Sequence, residues 1–197
     1  MKRAAAALAV LLAVGLSAAS AAGQDDAYMA YARGDYAEAL RQWRPRAEQG
    51  DVAAQSNLGI LYMSGLGVAQ DYAEALKWSE LAAAKGDARA QLRLGMMHAT
   101  GRGVAQNFAE AAKWFERAAA QGDAQAQFNL GRLYEFGRGV ERDLVRAHLW
   151  FNLAAASSSP GWDRQDAIAN RDRIAGQLKP EQVADAQARA RDWKPVK

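Results

Sequence analysis

Few residues in this chain could carry covalent or metal chemistry. There are two histidines, His98 and His148, and no cysteine among 197 residues. Without Cys there is no thiolate nucleophile, no thiolate zinc site and no disulfide scaffold. Each histidine stands alone, with no cluster of carboxylates recurring near it to complete a metal or general-base site. Ser157, Ser158 and Ser159 form a small-residue linker before Pro160, without the G-x-S-x-G setting that exposes a serine nucleophile. Three Gly-x-Gly segments, at Gly65, Gly101 and Gly137, resemble phosphate loops only superficially. A dinucleotide loop must follow a strand and open a helix, whereas these lie between two helical patterns. The expectation is a non-enzyme with no cofactor and no metal.

Binding chemistry is better represented. Residues 53, 57, 60 and 64, and their equivalents 36 and 72 positions on, fall at i, i+4, i+7 and i+11, on one face of a helix. The first set reads Ala53, Asn57, Ile60, Ser64; the second Arg89, Arg93, Met96, Thr100; the third Gln125, Asn129, Arg132, Phe136. These positions vary from copy to copy, so packing between copies does not dictate them. Arginine and aromatic side chains are the types that dominate binding energy in protein interfaces. Arg93, Met96, Arg132 and Phe136 are therefore the expected centre of a partner-binding face. An acidic or extended protein or peptide segment is the expected occupant.

The elements that would hold this face come from a 36-residue period. Gly50–Asp51, Gly86–Asp87 and Gly122–Asp123 recur at that spacing, as do Leu58–Gly59, Leu94–Gly95 and Leu130–Gly131. Trp78, Trp114 and Trp150 recur too, and about 13 of the 36 positions are identical in all three copies. Each copy predicts two helices. The first, from about Asp51 to Ser64, is stopped by Gly65, which accepts a left-handed backbone without a Cβ penalty. The second opens at Asp71 with Glu74 three residues on, a capping-box pattern repeated at Asp35/Glu38 and Asn107/Glu110 but not at Asp143. Alanine at 54, 75 and 82 would let the helices approach closely, with Trp and Tyr filling the wider gaps.

Taken in order, Ala54, Leu58, Gly59, Tyr62, Gly65, Gly67, Val68, Asp71, Ala75, Trp78, Ala82, Ala83 and Gly86 resemble the Sel-one-like repeat, a relative of the tetratricopeptide repeat. The resemblance implies an all-α, right-handed α-solenoid of antiparallel helix pairs, used as a protein-interaction scaffold. Some cysteine-rich relatives are β-lactamase-like or bind penicillin. This chain lacks their Cys pairs and any S-x-x-K.

Domain boundaries follow. Lys2 and Arg3, the uncharged run Ala4–Leu16 and small residues to Ala22 predict a cleaved secretory signal over 1–22. Residues 23–50 are an N-terminal half-repeat cap, in which Pro45 should kink or interrupt the helix. The repeats span 51–86, 87–122 and 123–158; residues 159–197 form C-terminal capping helices and a loose tail. Lys179 precedes Pro180 where a Ser or Thr cap would be stronger. Removing Lys2 and Arg3 from 25 basic residues leaves 23 against 22 acidic, which argues against nucleic acid as a partner. No membrane span is expected in the mature chain, and the periplasm of a Gram-negative bacterium is the expected location. Peptidoglycan or glycan binding, with Phe136 and Trp193 as exposed platforms, and weak cell-wall hydrolysis are the alternatives.

Overall fold

The computed structural model describes residues 26–158 and 162–196, without the side chains of residues 162 and 163. The signal segment and the Ser159–Pro160 linker lie outside the described residues. Helix α1 covers 26–32. It is followed by α2 (Tyr36–Glu48), α3 (Val52–Ser64), α4 (Tyr72–Ala84), α5 (Ala88–Thr100), α6 (Phe108–Ala120), α7 (Ala124–Phe136), α8 (Leu144–Ser157), α9 (Trp162–Ala175) and α10 (Pro180–Asp192). Helices consecutive in sequence pack on one another from α2 to α9, and α10 returns against α8. The fold is an all-α solenoid of stacked helix pairs.

The sequence signals act largely as their chemistry requires. Asp51, Asp87 and Asp123 cap the first helices by accepting from the N–H groups of Ala54, Ala90 and Ala126. Gly65, Gly101 and Gly137 close them in left-handed geometry, with φ of 67°, 72° and 64°. The second glycine of each loop has a different duty. A Cβ on Gly139 would stand 2.2 Å from the backbone carbon of Phe108, and one on Gly67 2.4 Å from that of Tyr36. The loop of one copy thus rests on the start of the preceding copy's second helix, closer than any side chain permits.

Alanine at 54, 75, 82, 90, 111, 118, 126, 147 and 154 is fully buried or within 1% of it. The recurring glutamine is a second stacking device. Gln55, Gln91 and Gln127 donate from Nε2 to the carbonyls of Ala47, Ala83 and Ala119, tying each first helix to the helix before it. At the outer turns, Lys85 and Gln121 donate to the carbonyls of Gly50 and Gly86, one copy back.

Three local expectations are corrected. The capping boxes are half-built: the N–H groups of Asp35, Asp71 and Asn107 donate to the carbonyls of Ala30, Tyr62 and His98 on the preceding helix. That leaves Glu74 to accept from Lys77 and from the Trp78 indole, and Glu110 to accept from Lys113. Pro45 does not interrupt α2, which runs on to Glu48. It sits exposed in the last turn, where a single intrahelical bond is forgone. The C-terminal tail is held rather than loose, because the Val196 N–H donates to the Ala120 carbonyl at 2.8 Å. Beside it, the Trp193 ring and Pro195 approach Gly122. Lys179 gives α10 no side-chain acceptor, as its sequence implies; Gln182 accepts from the Lys179 N–H instead.

Candidate functional site

Helices α5 and α7 occupy equivalent places in successive copies, and a cleft of about 480 Å³ opens between them. Met96, Ala99 and Thr100 of α5 form one wall; Gln125, Asn129, Arg132, Leu133 and Phe136 of α7 form the other. Gln106, Phe108, Phe115 and Arg138 complete it. Six of the sequence-predicted face residues therefore meet here: Met96, Thr100, Gln125, Asn129, Arg132 and Phe136.

The local chain explains the geometry. Gln106 Nε2 donates to the Ala99 carbonyl at 2.9 Å, clamping the loop against the end of α5. Gln70 does the same to Met63 one copy earlier. The Arg138 guanidinium carbon lies 5.6 Å from the Phe108 ring centre and 5.5 Å from that of Phe136. This double cation–π contact holds an otherwise exposed phenyl ring, 52% accessible, at the rim. Arg102 makes the corresponding contact with Tyr72. Reading the helix face alone missed Phe108 and Arg138. The signal available was the arginine at the centre of two Gly-x-Gly loops, each paired with an aromatic residue 30 positions upstream.

Among the described residues, no Asp or Glu lines the cleft. Arg132 and Arg138 join none of the ion pairs found among the described residues.

The remaining predicted face residues lie elsewhere. Ile60 and Ser64 are on α3, and Arg89 is at the start of α5, 4.0 Å from Asp87; none of them lines this cleft. Asn57 is buried, its Nδ2 without a hydrogen-bond partner among the described residues. Arg93 is a clear correction: it is 4% exposed and does not offer itself to a partner. Its Nη1 donates to Ser79 Oγ at 3.2 Å and lies where a Cβ on Gly59 would stand. Burial draws its pKa down to about 10, with nearby Asp87 opposing and Arg89 adding to the shift. The reason for its burial is the neighbour at 79, a serine where copies two and three carry Phe115 and Phe151.

His148 is packed at 1% exposure, with burial and then Arg171 lowering its pKa against Asp172. His98 is half-buried and supplies the carbonyl that accepts from Asn107. Among the described residues no three His, Asp or Glu side chains are grouped to hold a metal ion.

The Sel1 repeat family matches residues 52–87, 88–123 and 124–159, one position later than the boundaries read from the sequence and over more than half of the chain. This chain belongs to the Sel1 repeat family. Among solved structures it resembles a Sel1 repeat protein from Oxalobacter formigenes, at 40% identity and TM-score 0.60, over 68% of this chain and 97% of that one. It also resembles a protective antigen of uropathogenic Escherichia coli strains with an SLR fold, at 36% identity and TM-score 0.72. That match covers 79% of this chain but 32% of the antigen, so the chain spans about a third of that protein's length. No curated protein matches. Sel1 repeat proteins generally act as non-catalytic scaffolds for protein–protein interaction. No described helix is long and apolar enough to cross a membrane.

Proposed function

We propose that this Sel1 repeat chain is an exported, non-catalytic adaptor that holds a partner protein or peptide in the α5–α7 cleft, in a process of the bacterial cell envelope. The observation that carries this reading is the cleft itself. Six of its lining residues stand at helix-face positions that vary from copy to copy, and an exposed phenyl ring is held at its rim by a neighbouring guanidinium. The invariant residues of each copy are spent on stacking instead. Export rests on the leader pattern of residues 1–22.

Photo-crosslinking in the native host tests both parts. A crosslinking residue at Thr100 or Gln125 should capture one defined protein, and the same residue at Lys77, on α4, should not. Arg132→Ala with Phe136→Ala should reduce the captured species about tenfold or more. Capture that is equal at Lys77 and unchanged by the double substitution removes the cleft as the binding face. N-terminal sequencing of the protein from the envelope fraction should begin at residue 22 or 23. A chain that retains Met1 in the cytoplasm overturns the export reading.

A further inference from the structure

The chemistry of the cleft says more about its occupant than that it is a protein. The geometry points to an extended segment carrying an acidic side chain and an apolar side chain two residues apart, lying along α7. This deepens the adaptor reading above and rests on it.

Charge gives the first half of the argument. The cleft has two arginines and no carboxylate in its lining. Neither arginine is neutralised by an ion pair among the described residues. Arg138 is already engaged with two rings, at 5.5 and 5.6 Å. Arg132 has no such partner and is exposed at the rim. A guanidinium beside apolar walls is best matched by a carboxylate, which it can grip through two parallel N–H donors.

Spacing gives the second half. Arg132 and Phe136 are four residues apart on α7, about 6 Å along the helix axis. In an extended chain, side chains at i and i+2 share a face and stand roughly 6.6 Å apart. A carboxylate on Arg132 therefore sets the side chain two residues away over Phe136. An apolar side chain there packs on the Phe136 ring and on Met96 of the facing wall. Methionine, unbranched and polarizable, adapts to different apolar shapes and so accommodates more than one side chain. Gln125 and Asn129 bring amide donors and acceptors to the same cleft, suited to the peptide groups between the two anchors. A helical occupant would need its acidic and apolar side chains three or four residues apart to reach both anchors, so the two-residue spacing belongs to an extended chain.

The test titrates the full mature chain, observed by NMR, with three synthetic peptides. They are Gly-Ser-Glu-Ser-Leu-Ser-Gly, its Gln-for-Glu counterpart, and the isomer Gly-Ser-Glu-Leu-Ser-Ser-Gly, in which the anchors are adjacent. The first peptide should bind at least fivefold tighter than either of the others and perturb α5 and α7 resonances. Its advantage over the Gln peptide should shrink as salt is raised from 50 to 300 mM and vanish in Arg132→Gln. Phe136→Ser should weaken both Leu-spaced peptides alike. Both replaced side chains are exposed, so an unchanged circular dichroism spectrum and melting point identify these as binding effects.

Equal affinity for the Glu and Gln peptides, or a preference that survives in Arg132→Gln, overturns the inference. So does a tighter complex with the adjacent-anchor isomer. If that happens while Thr100 still crosslinks one defined protein in cells, the adaptor reading stands and only the acidic occupant is wrong. If crosslinking at the cleft also fails, both are wrong.

Discussion

The joint inside the first repeat and the joint inside the second solve one packing problem with opposite chemistry. In the second, the helix glycine Gly95 faces the ring of Phe115, and a Cβ there would stand 2.5 Å from it. The third repeats the design with Gly131 against Phe151, at 3.0 Å. In the first, Gly59 faces Ser79 and the guanidinium that Arg93 sends back from α5. Ser79 Oγ donates to the Ala75 carbonyl at 2.6 Å and accepts from Arg93. A hydroxyl and a guanidinium thus fill the volume of a phenyl ring. What the repeat conserves at this position is occupancy, not residue type, because an unfilled interior loses its contacts outright. The two solutions differ in cost. A phenyl ring gains by leaving water, whereas a guanidinium loses hydration and here regains a hydrogen bond to a neutral hydroxyl. The boundary also shows in the core, where the buried cluster around Trp43, Leu58 and Trp78 is separate from that around Phe115, Leu130 and Phe151.

Truncation should separate the joints most sharply. Phe115→Ala is expected to cost about 3–5 kcal/mol, a large-to-small change in a packed core. Ser79→Ala removes little volume but takes the hydroxyl acceptor from the buried Arg93 guanidinium, and should cost about 1–3 kcal/mol. Urea denaturation of the two variants checks the pair; similar losses would mean that the joints are not different.

Exchange of the two solutions is the next largest effect. Ser79→Phe alone should destabilise by about 1–3 kcal/mol, because the ring competes with Arg93 for one space. Adding Arg93→Asn, the residue type found at 57 and 129, should recover that loss and leave the protein more stable than the native chain. A double-mutant cycle with no coupling beyond about 0.5 kcal/mol would sink the claim that the two residues share one volume.

The helix glycines provide a finer probe. Gly95→Ala drives a methyl into a ring that is itself packed, and should cost about 1–3 kcal/mol. Gly59→Ala meets the end of the Arg93 side chain at 2.7 Å and the Ser79 hydroxyl at 2.8 Å rather than a packed ring, and gains about 1 kcal/mol of helix propensity, so it should cost less than Gly95→Ala. Thermal melts of the two variants rank them directly.

The smallest effects distinguish the caps on either side of the joint. Burial opposes ionisation of Asp51, but the Ala54 N–H and Arg46 outweigh it and hold the carboxyl below its ordinary range. Asp123 has the same backbone bonds without the arginine, and burial prevails, raising its pKa. The signs are therefore opposite. Asp51 contributes stability that is present above the unfolded-state pKa near 4 and is lost as pH falls below it. Asp123 costs stability at neutral pH, and that cost disappears as pH falls through its raised value and below the unfolded one. Asparagine also caps helices. Asp51→Asn should thus lower the urea midpoint at about pH 7 and Asp123→Asn should raise it; the Asp123 difference should fade as pH falls below about 4, and the Asp51 difference only at lower pH still, as its depressed value is passed.

Legibility in the sequence followed repetition. Helix starts, glycine stops and buried alanines were readable because the same residue met the same demand three times. The cleft residues of α5 and α7 were readable for the converse reason, as varying positions on one helical face. Arg93 misled because it sits in a column whose other members, Asn57 and Asn129, are polar and small enough not to reveal what lies beneath. The clue was in a different column, where Trp43, Phe115 and Phe151 are interrupted by Ser79. Arg138 was missed because it belongs to a loop, and its ring partner Phe108 opens the second helix of the preceding copy.

The period, the helix pairs, the closures at glycine and the family follow from the residues alone. Each of these depends on backbone conformation and on contacts repeated between nearest neighbours. Which arginine is buried and which stands exposed is settled by tertiary packing. Arg93 and Arg132 are equally charged and share a helix face in successive copies. Their fates differ because the exposure of a flexible side chain depends on the volume its neighbours leave, and that volume is set by residues on other helices.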